Sequence, residues 1–226
     1  MTKTTTAPSK RAPRKKPYDR VHPENGARAR VYVGDCREVL PRLAECKAGE
    51  VDLIFADPPF NWSRDYDRHK VGGAWKDSMP DAEYCDPDDS LRALGESTSF
   101  TMQWLDACIQ ALAPHGSMWV NIPDDWAAEI ALHLKRRGLH LINWNVWHYR
   151  FGQNQRNRFI LSKVHVLYFC KDPSTRIWRP DEVLEVSDRR SIYFDPRTES
   201  KKDGMPAGMR VPMDVWYGQY WGRIQG

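Results

Sequence analysis

The sequence predicts an α/β domain built on a mixed sheet, and three features carry that prediction. Apolar runs of strand length alternate with segments of helical period over the 226 residues, a length ample for a large core. The run "VDLIFA" (51–56) is rich in β-formers and ends on "DPPF", where two residues without an N–H forbid the strand to continue. The first strand, helix and strand follow one another with few residues between them, which favours parallel pairing.

Taken in order, the first 17 residues hold Lys3, Lys10, Arg11, Arg14, Lys15 and Lys16 and no acid. Residues 1–29 are therefore expected to be a basic tail that builds no core, either solvated or acting as a non-specific arm for nucleic acid. "RVYVGDC" (30–36) alternates and ends in Gly-Asp, as a short strand and its exit turn would. Val39, Leu40, Leu43 and Cys46 recur near helical spacing, predicting a short helix with Pro41 in or near its first turn. "VDLIFA" is the next strand. Residues 63–98 turn polar and irregular, and a loop that long is either functional or disordered.

Met102, Leu105, Ile109 and Leu112 share one face of a predicted helix, with Ser99 a candidate cap and Pro114 and Gly116 its stop. "SMWVNI" (117–122) reads as a strand. In "DDWAAEIALHLKRRG", Asp124 or Asp125 caps a helix, Lys135 to Arg137 occupy its last turn and Gly138 follows its end. "LHLINWNVWHYR" and "RFILSKVHVLYFCK" suit an antiparallel pair at the sheet edge, joined by "FGQNQRN". After Lys171 no convincing period remains.

Composition excludes several classes. Five cysteines, an odd number without a CxxC pair, argue against a disulfide framework or a zinc cluster, so no metal site is expected and a reducing cytoplasm is. No run of 18 apolar residues predicts a membrane span. The net charge of +4 permits a polyanionic partner without requiring one.

The strand end carries the chemistry. Ligands of open α/β sheets bind at the carboxyl ends of strands, where Asp57, Pro58, Pro59 and Phe60 fall. Asp57 precedes a proline and Pro58 precedes another, so both are held extended. Two fixed acceptors, the Asp57 carboxylate and the Pro58 carbonyl, suit the two protons of an –NH₂ group. Phe60 offers a flat face to a planar ring. In the loop between the last two strands, Arg150, Gln153, Asn154, Arg156 and Arg158 suit phosphates and base edges, or form a plain solvated hairpin tip.

"VYVGDCREVLPRL" followed by "VDLIFADPPFNW" resembles the start of the amino-methyltransferases of DNA, in the permuted order where the catalytic motif comes first. "FTMQWLDACIQALAPHGSMWVNI", the strand pair after it and "VPMDVWYGQYWGRIQG" are similar to the segments that follow there, so the resemblance spans about residues 30 to 226. It implies a Rossmann-like methyltransferase fold, S-adenosylmethionine as methyl donor and a base flipped out of double-stranded DNA as acceptor. It assigns catalysis to Asp57, Pro58, Pro59 and Phe60 and cofactor contacts to Asp35, Cys36 and Asp57, with Asp35 as a mere turn residue the alternative. Residues 30–171 would be the catalytic half, and 172–226, with Arg189, Arg190, Lys201 and Lys202, the target-recognition region.

The acidic first position of the motif is more often associated with adenine than with cytosine in that family. A cytosine-N4 enzyme, a non-catalytic DNA-binding or specificity subunit, and an RNA or small-molecule amine methyltransferase are the alternatives. The family's Phe-x-Gly-x-Gly cofactor motif is not found and would follow residue 226 in the permuted order. The chain is accordingly expected to be incomplete, with a second chain or a continuation supplying the cofactor-binding half.

Overall fold

A computed structural model describes residues 18–21, 24, 26–63, 78–86, 88, 97–149, 154, 156–200 and 204–216. Its centre is a five-stranded mixed sheet in the order β3-β4-β6-β5-β9, made of β3 (Val51–Ala56), β4 (Leu112–Ile122), β5 (His140–His148), β6 (Lys163–Cys170) and β9 (Val215–Trp216). β3 pairs parallel to β4, β4 and β5 each pair antiparallel to β6, and β9 pairs parallel to β5.

The expected α/β class with a mixed sheet is what forms. The period-two alternation of the strands divides the sheet into two faces. Ile54, Ala56, Met118, Val120, Ile122, Leu167 and Phe169 point to one face and join a single core with Met102, Leu105, Ile130 and Leu134. Those partners come from α4 (Phe100–Ala111) and α5 (Asp124–Arg136). Met102, Leu105, Met118, Leu167 and Phe169 are fully buried, and each such side chain contributes about 1.5–3 kcal/mol of hydrophobic stabilisation.

The opposite face carries Trp119 stacked on Tyr168, ring centroids 4.1 Å apart, with Trp216 next to Trp119 at 6.1 Å. At its β3 margin Leu53 and Phe55 are 60% and 62% exposed.

Five expectations are corrected. The strand drawn over residues 30–36 is instead β2 (Arg28–Val31), and it pairs antiparallel with β1 (Tyr18–Val21), not parallel with β3. All of β2 is exposed. Its arginines pair with acids, Arg28 with Asp19 and Arg30 with Glu45, and these ion pairs hold it to β1 and to the helix that carries Glu45, not to the central sheet. β1 likewise lies within the span expected to be an unstructured tail.

The helix before β4 ends at Ala111, ahead of Pro114 and Gly116, which sit inside β4. There the register slips, Val51 facing Leu112 while Leu53 faces Ser117, and the resulting bulge accommodates the proline. Gly116 is required by crowding: a Cβ there would lie 2.8 Å from the Val51 carbonyl oxygen. The cap of α5 is Pro123, with Asp124 and Asp125 in the first turn. Finally, the β5/β6 pair is not at the edge, since β6 lies between β4 and β5 and part of β5 is covered by β9.

Four shorter helices, three 3-10 turns and a second antiparallel pair are the other described elements before Val215. The expected helix after Gly34 is two short ones, α1 (Cys36–Val39) and α2 (Ala44–Ala48), joined by a 3-10 turn that holds Pro41. α3 (Asp81–Tyr84) falls in the irregular segment. β7 (Glu185–Val186) and β8 (Met209–Arg210) pair around α6 (Asp188–Ser191). No helix among the described residues is long and apolar enough to cross a membrane.

Candidate active site

β3 delivers Asp57 to the carboxyl end of the sheet, beside the end of β4, and the two prolines stop the strand there. Asp57 is exposed; Pro58, Pro59 and Phe60 are half-buried. Asn121 on β4 donates from Nδ2 to Oδ1 of Asp57 at 2.8 Å. The Pro59 carbonyl accepts from the Tyr84 hydroxyl, and the Phe60 carbonyl from the Trp126 indole at 3.3 Å. Among the described residues no donor takes the Pro58 carbonyl. Of three consecutive carbonyls, two are pinned by protein and the first is left open by the described residues.

The chain then bends sharply. Asn61 and Ser63 adopt positive φ (both 56°), a conformation non-glycine residues rarely hold without local support. Asn61 has that support: its amide accepts from the Met79 N–H at 2.7 Å and donates to the Met79 carbonyl at 3.0 Å. Phe60 meets Trp62 edge to face, centroids 5.1 Å apart.

The first turn of α5 ties this segment to the sheet. Trp126 holds Phe60, Asp125 accepts from the Trp62 indole at 3.1 Å, and Asp124 accepts from Lys163 and, at 2.7 Å, from His165 Nε2. The Trp144 indole donates to His165 Nδ1, so the ring proton lies on Nε2, facing Asp124. Burial pushes Asp124 up, but the Lys163 and His165 hydrogen bonds outweigh it and hold the carboxyl below its ordinary range. Burial and the Lys163 charge push His165 down.

Asp35 caps α1, and Arg37 grips both of its oxygens. These side-chain bonds hold Asp35 below the usual carboxylate range against partial burial. Arg37 lies over the Phe100 ring at 4.8 Å, and Phe100 stacks on Tyr84, the residue that pins Pro59. Asp35 is thus linked to the motif through three side chains, Arg37, Phe100 and Tyr84. Cys36 is exposed, its thiol pushed up by desolvation.

Asn154, Arg156 and Arg158 are exposed in the β5–β6 connection, and strand directions put that connection at the same end of the sheet as Asp57. Arg150 and Gln153 lie outside the described residues, as do Lys201, Lys202 and most of the 63–98 segment. Sequence reasoning missed Tyr84, Asn121 and Trp126. Asn121 left one trace, a lone amide in an otherwise apolar strand end. Among the described residues no cluster of side chains could hold a metal ion.

Residues 51–225 match the family model described as DNA methylase. The chain is 32% identical to the Type II methyltransferase M.BamHI of Bacillus amyloliquefaciens over 143 residues, 63% of this chain and 28% of that protein. It is 23% identical to the Type II methyltransferase M.HpaI of Haemophilus parainfluenzae over 149 residues, 66% of this chain and 41% of that one. The match therefore spans well under half the length of either relative. A solved structure of M1.HpyAVI with SAM is 17% identical, with a TM-score of 0.39 and coverage of 66% of this chain and 62% of that one.

Proposed function

Because this chain belongs to the DNA methylase family, whose model it matches over residues 51–225, we propose that it carries the acceptor site of a DNA amino-methyltransferase. The proposed reaction moves a methyl group from S-adenosylmethionine to the exocyclic amine of a base flipped out of duplex DNA. Adenine is the proposed base, on the association of an acidic first motif position with adenine in this family.

The observation that carries the reading is the open Pro58 carbonyl next to an exposed Asp57 carboxylate, in a segment whose following carbonyls are both occupied. An exocyclic amine is a poor nucleophile, its lone pair being delocalised into the ring. Asp57 and the Pro58 carbonyl would each accept one N–H, drawing that pair out of conjugation. Asp57 is also the acceptor at hand for the proton the nitrogen must shed. Phe60 would stack on the flipped ring. Fixed acceptors aimed at developing positive charge act by preorganisation, and alignment supplies much of the rest.

The residues present suit the proposed cofactor. Asp57 is an exposed carboxylate matched to a cation, and Asp35, Cys36 and Asp57 are the residues proposed to face it, Asp35 through the side of its carboxylate not held by Arg37. S-adenosylmethionine supplies, when bound, an electrophilic methyl group on positively charged sulfur. The remaining cofactor contacts are proposed to come from polypeptide that covers Leu53 and Phe55, whether a continuation of this chain or a second one. Asn154, Arg156 and Arg158 are proposed to meet the DNA backbone, and the proposed setting is a reducing cytosol, with which five free cysteines are in keeping.

The test is mass spectrometry of nucleosides from duplex DNA incubated with labelled S-adenosylmethionine and the protein joined to a cofactor-binding half. N6-methyl-2′-deoxyadenosine is the expected product. Methylcytosine alone would overturn the base assignment, and no labelled product on any DNA would overturn the function.

A further inference from the structure

We propose that Asn121 is a positioning residue for Asp57: its amide fixes the carboxylate so that Oδ2 is the oxygen presented to the acceptor amine. The inference rests on the functional reading above and names a residue that reading does not use. Asn121 sits on β4, one residue from the strand's end, and is 7% exposed. Its neighbours Val120 and Ile122 are fully buried core residues.

Its two amide atoms fare very differently. Nδ2 donates to Asp57 Oδ1 at 2.8 Å, whereas the buried Oδ1 has no partner among the described residues. A buried acceptor left unpaired is costly, and an apolar side chain would avoid the cost altogether. The bond to Asp57 is what an apolar residue could not make. It also sets the direction of the amide, since only the –NH₂ end can face a carboxylate. With Oδ1 of Asp57 occupied, Oδ2 is left to accept from a ligand.

The charged groups around this end of the sheet are committed elsewhere: Asp124 to Lys163 and His165, Asp125 to Trp62, Asp35 to Arg37. Among the described residues, Asn121 is the side chain that bonds the Asp57 carboxylate.

Two variants of the methyl-transferring assembly test this. Asn121→Leu removes the donor at similar volume. Its kcat is expected to fall by about tenfold to a hundredfold while KM for DNA and for S-adenosylmethionine stays within about threefold. Asn121→Asp sets two carboxyls within bonding distance. Holding one shared proton, the pair restores a donor to Asp57; losing it, the pair becomes two repelling charges. Its kcat is therefore expected to drop as pH rises above about 5, along a limb that the wild type lacks. A residue that merely filled space would lower thermal stability without creating that limb.

Asn121→Leu within twofold of wild type, or Asn121→Asp with a wild-type pH profile, would overturn the proposal. If the wild type transfers no methyl group, the functional reading fails by itself, and carboxyl-carbon NMR of the chain still decides this one. In Asn121→Asp the Asp57 resonance is expected to titrate in two coupled steps. A single uncoupled step in that variant would show that the two side chains do not bond.

Discussion

At the scale of single residues, the site rests on one carboxylate and the groups that aim it. Asp57→Ala removes the proposed acceptor, whose use would be greatest in the transition state, so turnover is expected to fall by about two orders of magnitude or more. DNA affinity, measured by fluorescence anisotropy, is expected to change far less. Turnover within a few-fold of wild type would contradict the role. Asp57 to Phe60 was legible in the sequence because its signals are local: an apolar run, an acid, two prolines, a ring. Tyr84, Asn121 and Trp126 were not. They reach the motif across 25 to 66 positions of chain, and no short pattern announces a hydrogen bond that only the folded sheet creates.

At the scale of elements, two predictions follow from β4 and from the β5–β6 connection. Gly116→Ala would drive a methyl group against the Val51 and Ala113 carbonyls, 2.8 and 2.9 Å from the added carbon. The strands must move apart, and a loss of about 1–3 kcal/mol in urea unfolding is expected. A variant as stable as wild type would mean that the bulge yields. The helices α4 and α5 were readable from their apolar period, but the bulge was not, because Pro114 and Gly116 look like a helix stop and are equally at home in a distorted strand. β2 misled for a related reason: alternation marks a strand but not its partner, and charged Arg28 and Arg30 chose a hairpin. In the β5–β6 connection, Arg156→Ala and Arg158→Ala are each expected to weaken DNA binding evenly across sequences. Each should reduce the slope of log K against log salt by about one. An unchanged slope in both would remove this connection from the interface. Phe159, 97% exposed beside them, shows how open that end is.

At the scale of the whole molecule, acid stability depends on groups buried between layers. His133, 1% exposed, bonds Asp106 on α4 at 2.8 Å, and Arg137 and Ser97 bond the same carboxylate. Burial pushes Asp106 up, but these partners more than reverse it, leaving its folded value below the ordinary one. A depressed carboxylate contributes stability that is present at neutral pH and lost as pH falls below about 4. His165, depressed by burial, adds an earlier loss: the unfolded chain takes up its proton below about pH 6.5, before the folded one does. Melting temperature is therefore expected to decline in two stages on acidification. Asp106→Asn should flatten the lower stage only, and an unaltered lower stage would exclude the Asp106 network.

The position of β3 has a consequence in time as well as in space. Its described pairing is with β4 alone, in a parallel register whose partners are about 60 positions apart in sequence, whereas β5 and β6 form a near-local pair. Loop closure delays such distant pairing, so β3 is expected to join after β4, β5 and β6 have paired with one another, and to open before they do. In native-state hydrogen exchange its amides would lose protection while those of β4 facing β6 still keep theirs. The strand that holds Asp57 would then sample opened forms that β4, β5 and β6 do not, and the carboxylate proposed to be catalytic would be carried by a part of the sheet with a short memory of its place.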